Sequence, residues 1–453
     1  MRFIVIGGGI SGLTAARDLA DAGHQVLVLE ATDAVGGKLK GGEVAGITVD
    51  IGAEAMLNRQ PAGVQLATSL GLAVTHATGT RSRVWTRGAL RPLPRTLMGA
   101  PLDLDELEKS GILSPEGVRR ARDERVPVVE GDISVADLVA QRYGDEVADR
   151  LVEPLIGGVY AGSARSISAR AAIPRLVEML TAEHVDLPVE PASAMGPVFS
   201  GVPGGMWRLP EALAQAVEAT GHGEVRFGAT VVGLRRTPEG FLVDTGAGHE
   251  RADGIVLATP AAPSSRLLAD LAPVAATELA AIEYGSSVVV TLAFRADPDA
   301  SAALDIGASG FLVPPIDGRA VKASTFSFAK WDWVRAAGAD KRNRADALLV
   351  LRTSLGRHGE EATLQTSDEE LVRLSLADLG TATGLTAAPV DTGVQRWGGG
   401  IPQYFVGHLD RVERIRSALA AVPRLVVCGA AYDGVGIAAC ITSGHRAAAE
   451  LVR

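Results

Sequence analysis

Residues 2–30 constrain the fold more than any other stretch of this chain. Arg2 to Ile6 is a short β-branched apolar run, three glycines follow it, an Ala- and Leu-rich segment from Ile10 to Ala22 ends at Gly23, and Gln25 to Glu30 is apolar again. Periodicity and punctuation predict strand, tight turn, helix, C-cap and second strand, a βαβ unit with a parallel strand pair. A chain that opens in this way is expected to build an α/β, doubly wound sheet. Gly7, Gly9 and Gly12 complete G-x-G-x-x-G at the turn, with Gly8, Ile10 and Ser11 between them. The first glycine permits the turn, the second lets backbone approach a pyrophosphate, and the third lets helix and strand pack closely. The helix N-terminus adds unsatisfied N–H groups and the positive end of a dipole. Glu30 closes the second strand with Ala31 beside it. A carboxylate about twenty residues beyond the turn is placed to accept hydrogen bonds from an adenosine ribose.

Composition excludes several alternatives. A chain of 453 residues with 47% hydrophobic and 21% charged residues has an ordinary globular mix, so disorder and coiled coil do not fit. Its net charge of −9 supplies no overall counter-charge for a phosphate backbone, and no nucleic-acid partner is expected. Two cysteines, Cys428 and Cys440, make neither a disulfide scaffold nor a zinc cluster; a reducing cytoplasm fits them best, and no metal site is expected. The N-terminal apolar run stops at Gly7, too short for a secretion signal. The longest interval without Asp, Glu, Lys or Arg, Gln60 to Thr80, is broken by polar residues, so no transmembrane segment is expected. Asp103–Glu124, Val135–Val152 and Ile167–Leu180 carry helical spacing, whereas from Glu224 onward short β-rich runs alternate with Gly or Asp.

Further glycine motifs extend the first. Val35-Gly36-Gly37-Lys38 resembles the extension of the phosphate cradle in flavoproteins of the amine-oxidase-like superfamily, which makes FAD the expected cofactor. Asp50-Ile51-Gly52-Ala53-Glu54, with Ala55 after it, stands at the spacing where that superfamily places a loop under the isoalloxazine ring. Near the C-terminus a strand leads into Gly429, Gly434, Val435 and Gly436, and a helix starts at about Ile437. A second helix dipole aimed at the cofactor would stabilise the negative charge of a reduced flavin. Thr259-Pro260 matches the strand end beside the FAD domain, and Val231 matches the family's backbone contact to adenine.

The resemblance narrows in three other segments. Glu153-Pro154-Leu155-Ile156-Gly157-Gly158-Val159-Tyr160-Ala161-Gly162 with Ile167-Ser168, then Arg396-Trp397 with Ile401-Pro402-Gln403-Tyr404 and Val406-Gly407-His408, and finally Asp433-Gly434-Val435-Gly436-Ile437, are similar to motifs of the protoporphyrinogen/coproporphyrinogen oxidases. The similarity runs over essentially the whole chain. It implies a Rossmann-type FAD-binding domain with a β-sheet substrate domain and a helical insertion, of the amine-oxidase/p-hydroxybenzoate-hydroxylase-like kind. The expected boundaries are 1–58, 196–265 and 410–453 for the FAD-binding domain, 59–102 and 266–409 for the substrate domain, and 103–195 for the helical domain. It implies oxidation of a porphyrinogen in three rounds of hydride transfer to flavin, with molecular oxygen taking the electrons as peroxide. Trp397 joins the expected cofactor contacts.

The family pattern also has a departure here. Mitochondrial members carry an arginine in the loop matching Gly52-Ala53-Glu54-Ala55, where this chain has Glu54. An acid there resembles the Gram-positive bacterial members, whose substrate is coproporphyrinogen III. Four propionates call for guanidiniums, and Arg59, Arg91, Arg95 and Arg208 are candidates by position, Arg95 foremost. Gly158 and Tyr160 are expected at the tetrapyrrole; His408 and Tyr160 are the tempting acid–base groups, although no catalytic residue is assigned. Alternatives are a protoporphyrinogen IX oxidase, an amine or carotenoid oxidase on the same scaffold, or a non-enzymatic binding protein like the GDP-dissociation inhibitors, against which the retained Glu30 and glycine motifs speak. The acids of Asp103–Leu180 oppose contact with an anionic membrane, so a cytoplasmic protein, peripheral to the membrane at most, is expected. Transient contact with a ferrochelatase completes the expectations.

Overall fold

The computed structural model describes residues 1–183, 196–339 and 347–452. Its first sheet has five strands in the order Gly223–Arg226, Gln25–Leu29, Arg2–Ile6, Gly254–Leu257 and Leu425–Val427. Every pairing is parallel. A parallel sheet is covered on both faces, which is why these strands read as continuous apolar runs. Phe3 and Val5 point to one side, packing with Leu13, Leu213 and Ile441 of the helices Ile10–Asp21, Arg208–Ala219 and Ile437–Leu451. Ile4 and Ile6 point to the other, against Phe241 of an antiparallel three-stranded sheet and Leu268 of the helix Ala261–Leu268. The βαβ unit expected for residues 2–30 is therefore present, and distant strands complete its sheet.

The second sheet has seven mixed strands, ordered Asp391–Pro402, Tyr284–Arg295, Leu348–Leu355, Val321–Thr325, Gly310–Leu312, Arg83–Thr86 and Ala89–Pro92. Its core gathers Val288, Val290, Leu292, Phe294, Phe326 and Trp331. The long strand Tyr284–Arg295 carries the β-branched run Val288-Val289-Val290, and its register slips between Gly285 and Ser287. Such a bulge turns side chains locally.

The middle of the chain is helical, as its periodicity predicts: Leu104–Ser110, Pro115–Arg122, Val135–Tyr143, Glu153–Tyr160 and Pro174–Thr181 are the main pieces. Asp103, Ser114 and Ser134 cap three of them with their side chains. Ala148–Val152 is π-helical and leads straight into Glu153-Pro154. Pro154 lacks an N–H and its ring crowds the carbonyl four residues back, and a wider turn relieves both. Of the expected helical domain, 184–195 lies outside the described residues. Its acids are largely paired: Arg95 with Asp103 and Glu106, Arg122 with Asp105 and Glu108, and Arg165 with Asp145 and Asp149. That face is less repulsive to anions than the acids alone indicate. No helix among the described residues is long and apolar enough to cross a membrane.

Candidate active site

One cavity of about 730 Å³ joins the carboxyl edge of the parallel sheet to the seven-stranded sheet. At the parallel edge the three glycines of the first turn do different work. Gly7 has φ +110°, and a Cβ there would stand 2.9 Å from the Ala258 carbonyl oxygen. A Cβ at Gly12 would collide with the Gly7 carbonyl. At Gly9 it would meet nothing within 4 Å, because that position faces the cavity. The second glycine thus leaves room for a ligand, whereas the outer two serve the protein.

Two helices begin at this cavity, Ile10–Asp21 after Gly9 and Ile437–Leu451 after Gly436, and neither has a side-chain cap. Their first N–H groups are left for a ligand, with both dipoles aimed inward. Glu30, Ala31 and Val231 line one end; Gly36, Gly37, Lys38, Gly52 and Ala53 line the middle; Gly429, Val435 and Ile437 cover it. Glu30 accepts from Gly8 N–H at 2.8 Å through one oxygen and from Thr32 through the other, which fixes its carboxylate at the rim. Trp397 lines the wall and donates its indole N–H to the Ile51 carbonyl at 3.1 Å. These residues fit a flavin dinucleotide: Gly9 opens the cradle, two free helix ends meet its anionic parts, and a carboxylate waits at the ribose end.

The covering loop is held from behind. Tyr404, 1% exposed, donates its hydroxyl to the Ala430 carbonyl at 2.5 Å and accepts from Gly434 N–H at 2.7 Å. Asp433 accepts from Ser443 and pairs with Arg416 and Arg446, so its carboxyl is held below the ordinary carboxylate range despite the cost of burial. His408 stacks on Tyr404 at 3.9 Å, and burial with the nearby Arg411 pushes its imidazole down to about 4. It is therefore neutral and part of the scaffold behind the loop.

Glu54 is 8% exposed and does not line the cavity. Its carboxylate pairs with Lys330 at 2.6 Å and with Arg352 at 3.1 Å. Burial alone would raise its pKa, but Arg352 and Lys330 together lower it to about 2. Arg352 also donates to the carbonyls of Asp50 at 3.1 Å and Gly52 at 2.7 Å, and it does line the cavity. Glu54 thus ties the loop Asp50–Ala53 to the second sheet through a cation that faces the ligand space. Ala55 lies off the wall with it.

Other expected residues are distributed unevenly. Gly158 lines the cavity, with Val159 and Ala161 at the end of the helix Glu153–Tyr160. Tyr160 points elsewhere, into a ring contact of 5.7 Å with Tyr404, and burial raises its phenol pKa. None of Arg59, Arg91, Arg95 and Arg208 lines the cavity. Arg95 is exposed and engaged by Asp103 and Glu106, Arg91 donates to the Thr86 carbonyl, and Arg208 donates to that of Pro203. The cations that do line it beyond Lys38 are Arg266, Lys322 and Arg352. Arg352 sits in the strand run LLVLRTSL and Lys322 in VKAST, where a charge interrupting an apolar β pattern was the available signal. Among the described residues no cluster of His, Cys, Asp and Glu is arranged to hold a metal ion.

The profile of the flavin containing amine oxidoreductase family matches residues 10–452. The chain belongs to that family of flavoenzymes. Within it, the chain is 35% identical to the coproporphyrinogen III oxidase of Mycobacterium tuberculosis, over 99% of this chain and 97% of that protein. It is 28% identical to the coproporphyrinogen III oxidase of Bacillus subtilis, again over 99% and 97%. A crystal structure from Exiguobacterium sp. 255-15, of a protein assigned as a protoporphyrinogen oxidase, superposes with a TM-score of 0.85 at 29% identity, covering 100% of this chain and 99% of that one. The flavoprotein architecture and the FAD cofactor expected from the glycine motifs agree with this membership.

Proposed function

We propose that this chain oxidises coproporphyrinogen III to coproporphyrin III, a six-electron change in three two-electron rounds. The observation that carries the reading is one continuous cavity whose wall includes both a dinucleotide cradle and, beyond it, the glycine-bearing helix end at Gly158 and the cations Arg352 and Lys322. Names of relatives along the full chain support it. FAD, held by Gly9, the two free helix ends, Glu30 and Lys38, would supply the two-electron acceptor and hand its electrons to oxygen. The chain's own task is placement. Gly158 leaves space for a flat ring beside the helix, since a side chain there would project where backbone now lies open. Val289, Ile401 and Pro402 supply apolar wall, and Arg352 offers a fixed guanidinium to a propionate. Orientation of this kind accounts for rate when the cofactor performs the chemistry.

The finer reading makes the enzyme cytoplasmic, uses molecular oxygen as physiological acceptor and includes a transient hand-over of porphyrin to a ferrochelatase. The two buried thiols, Cys428 and Cys440, are compatible with a reducing compartment. Purified, flavin-loaded protein supplied with coproporphyrinogen III or protoporphyrinogen IX in parallel, with porphyrin fluorescence followed in time, tests the assignment. Faster turnover of the tetracarboxylate is expected. Faster turnover of protoporphyrinogen IX would favour the second reading, which the Exiguobacterium relative's name supports.

A further inference from the structure

Lys322 stands out among the cations of the second sheet. It sits on the strand Val321–Thr325, is 5% exposed and lines the cavity. Its Nζ donates to the Gly356 carbonyl at 2.5 Å. An ammonium has three protons to share, and among the described residues no carboxylate lies within ion-pair distance of this one. Lys330 and Arg352, by contrast, share Glu54.

The neighbours do not supply the missing anion. Arg357, on the loop after Leu348–Leu355, is paired with Glu360 at 3.8 Å and acts on Lys322 as a like charge. Glu360 acts in the opposite sense and only partly offsets it. Glu153, at the start of the Gly158 helix, accepts from Ala164 N–H. Asp378, on the helix packed against this strand, takes Val321 N–H and faces Arg319. Burial, then Arg357, bring the Lys322 amine down to about 7. A buried charge is tolerated where it is paired, and this cavity-wall amine has its pairing direction open.

We propose that Lys322 receives one carboxylate of the substrate as an ammonium, so that binding takes up a proton from solvent wherever the free amine is neutral. The inference rests on the function proposed above and adds to it a specificity residue outside the flavin cradle. It makes affinity fall with rising pH: above about pH 7 the free amine must be protonated before it can pair, so up to tenfold is lost per pH unit until the amine's pKa in the complex is reached. Propionates, with an ordinary carboxyl pKa near ~4.3, stay ionised throughout this range.

Coproporphyrin III, a stable product, and its tetramethyl ester are the probes. Each is titrated by fluorescence into flavin-loaded full-length protein between pH 6 and 9. The wild-type protein is expected to lose affinity for the acid above about pH 7 but not for the ester. Lys322→Met should weaken acid binding about tenfold or more at pH 6.5, erase the slope and leave ester binding unchanged. Lys322→Arg, charged at every pH used, should keep the low-pH affinity without the slope. A Met variant with wild-type affinity and slope overturns the proposal. Should that variant fail to fold or to hold flavin, identical pH profiles for acid and ester in the wild-type protein overturn it equally. A wild-type protein that binds neither probe refutes instead the function on which the proposal rests.

Discussion

Replacing Glu54 with Gln removes one charge from a buried triad at nearly unchanged shape: Oε1 can still accept from Lys330 and the amide can donate to Ser327, but the acceptor facing Arg352 goes with the charge. The triad's worth follows from titration. The carboxyl is held at about 2 against an ordinary 4.5, because Arg352 and Lys330 together outweigh the cost of burying it. Such a drop corresponds to about 3 kcal/mol of folding stability. Independently, breaking a buried ion pair by removing one partner costs about 3–5 kcal/mol. The sign is that of a depressed acid: the contribution is complete above pH 4.5 and is lost as pH falls towards 2. Urea unfolding of wild-type and Glu54→Gln protein, each with saturating FAD, at several pH values from 7 to 3 and constant ionic strength, isolates this group. Other carboxylates titrate equally in both proteins and cancel. The variant is expected to be less stable by about 3 kcal/mol at pH 7, with the gap narrowing steadily below pH 4.5. A gap under about 1 kcal/mol, or one indifferent to pH, would refute the claim that Glu54 anchors Arg352 through its charge.

Four further substitutions separate ligand space from protein strain. Gly9→Ala should change stability by less than about 1 kcal/mol while flavin content falls sharply, whereas Gly7→Ala should cost about 1–3 kcal/mol by itself, since only there is φ positive and the Ala258 carbonyl in the way; calorimetry of apoprotein with absorbance at the flavin band distinguishes them. Tyr404→Phe removes the acceptor of Gly434 N–H and should cost about 1–3 kcal/mol, read as faster flavin loss and a lower melting temperature, with the largest change in hydrogen exchange at Gly434. Gly158→Leu, at a site whose added Cβ meets only Leu312 at 3.7 Å, should keep fold and flavin yet lower kcat/KM for coproporphyrinogen III by tenfold or more; unchanged kinetics would remove Gly158 from the substrate wall.

The cradle was legible because each of its parts is local. A strand, three glycines and a helix within the first twenty residues state a geometry that no distant residue needs to complete, and the structure brings Gly7, Gly9, Ile10 and Ser11 to the cavity with Glu30. The C-terminal loop was legible for the same reason, as strand, glycines and helix in sequence, and Val435 and Ile437 reach the same space. The basic side of the cavity was not legible. Arg95 lies in a loop, and position alone could not reveal that Asp103 and Glu106 already occupy it.

Arg352 and Lys322 show the opposite case. Each lies on a strand whose neighbours come from distant segments, so the face it presents depends on pairings such as Thr325 with Arg352 that only the assembled sheet fixes. Charge within a β run is costly where both faces are covered, so its presence in two adjacent strands requires either a compensating acid or a ligand. Glu54 supplies the acid for Arg352 and Lys330 together; an arginine in its place would repel both cations, whereas Glu54 recruits both. The carboxylate in the loop does not diminish the cavity's positive character. It fixes one cation at the wall, while the neighbouring strand's Lys322 has, among the described residues, no acid within ion-pair distance.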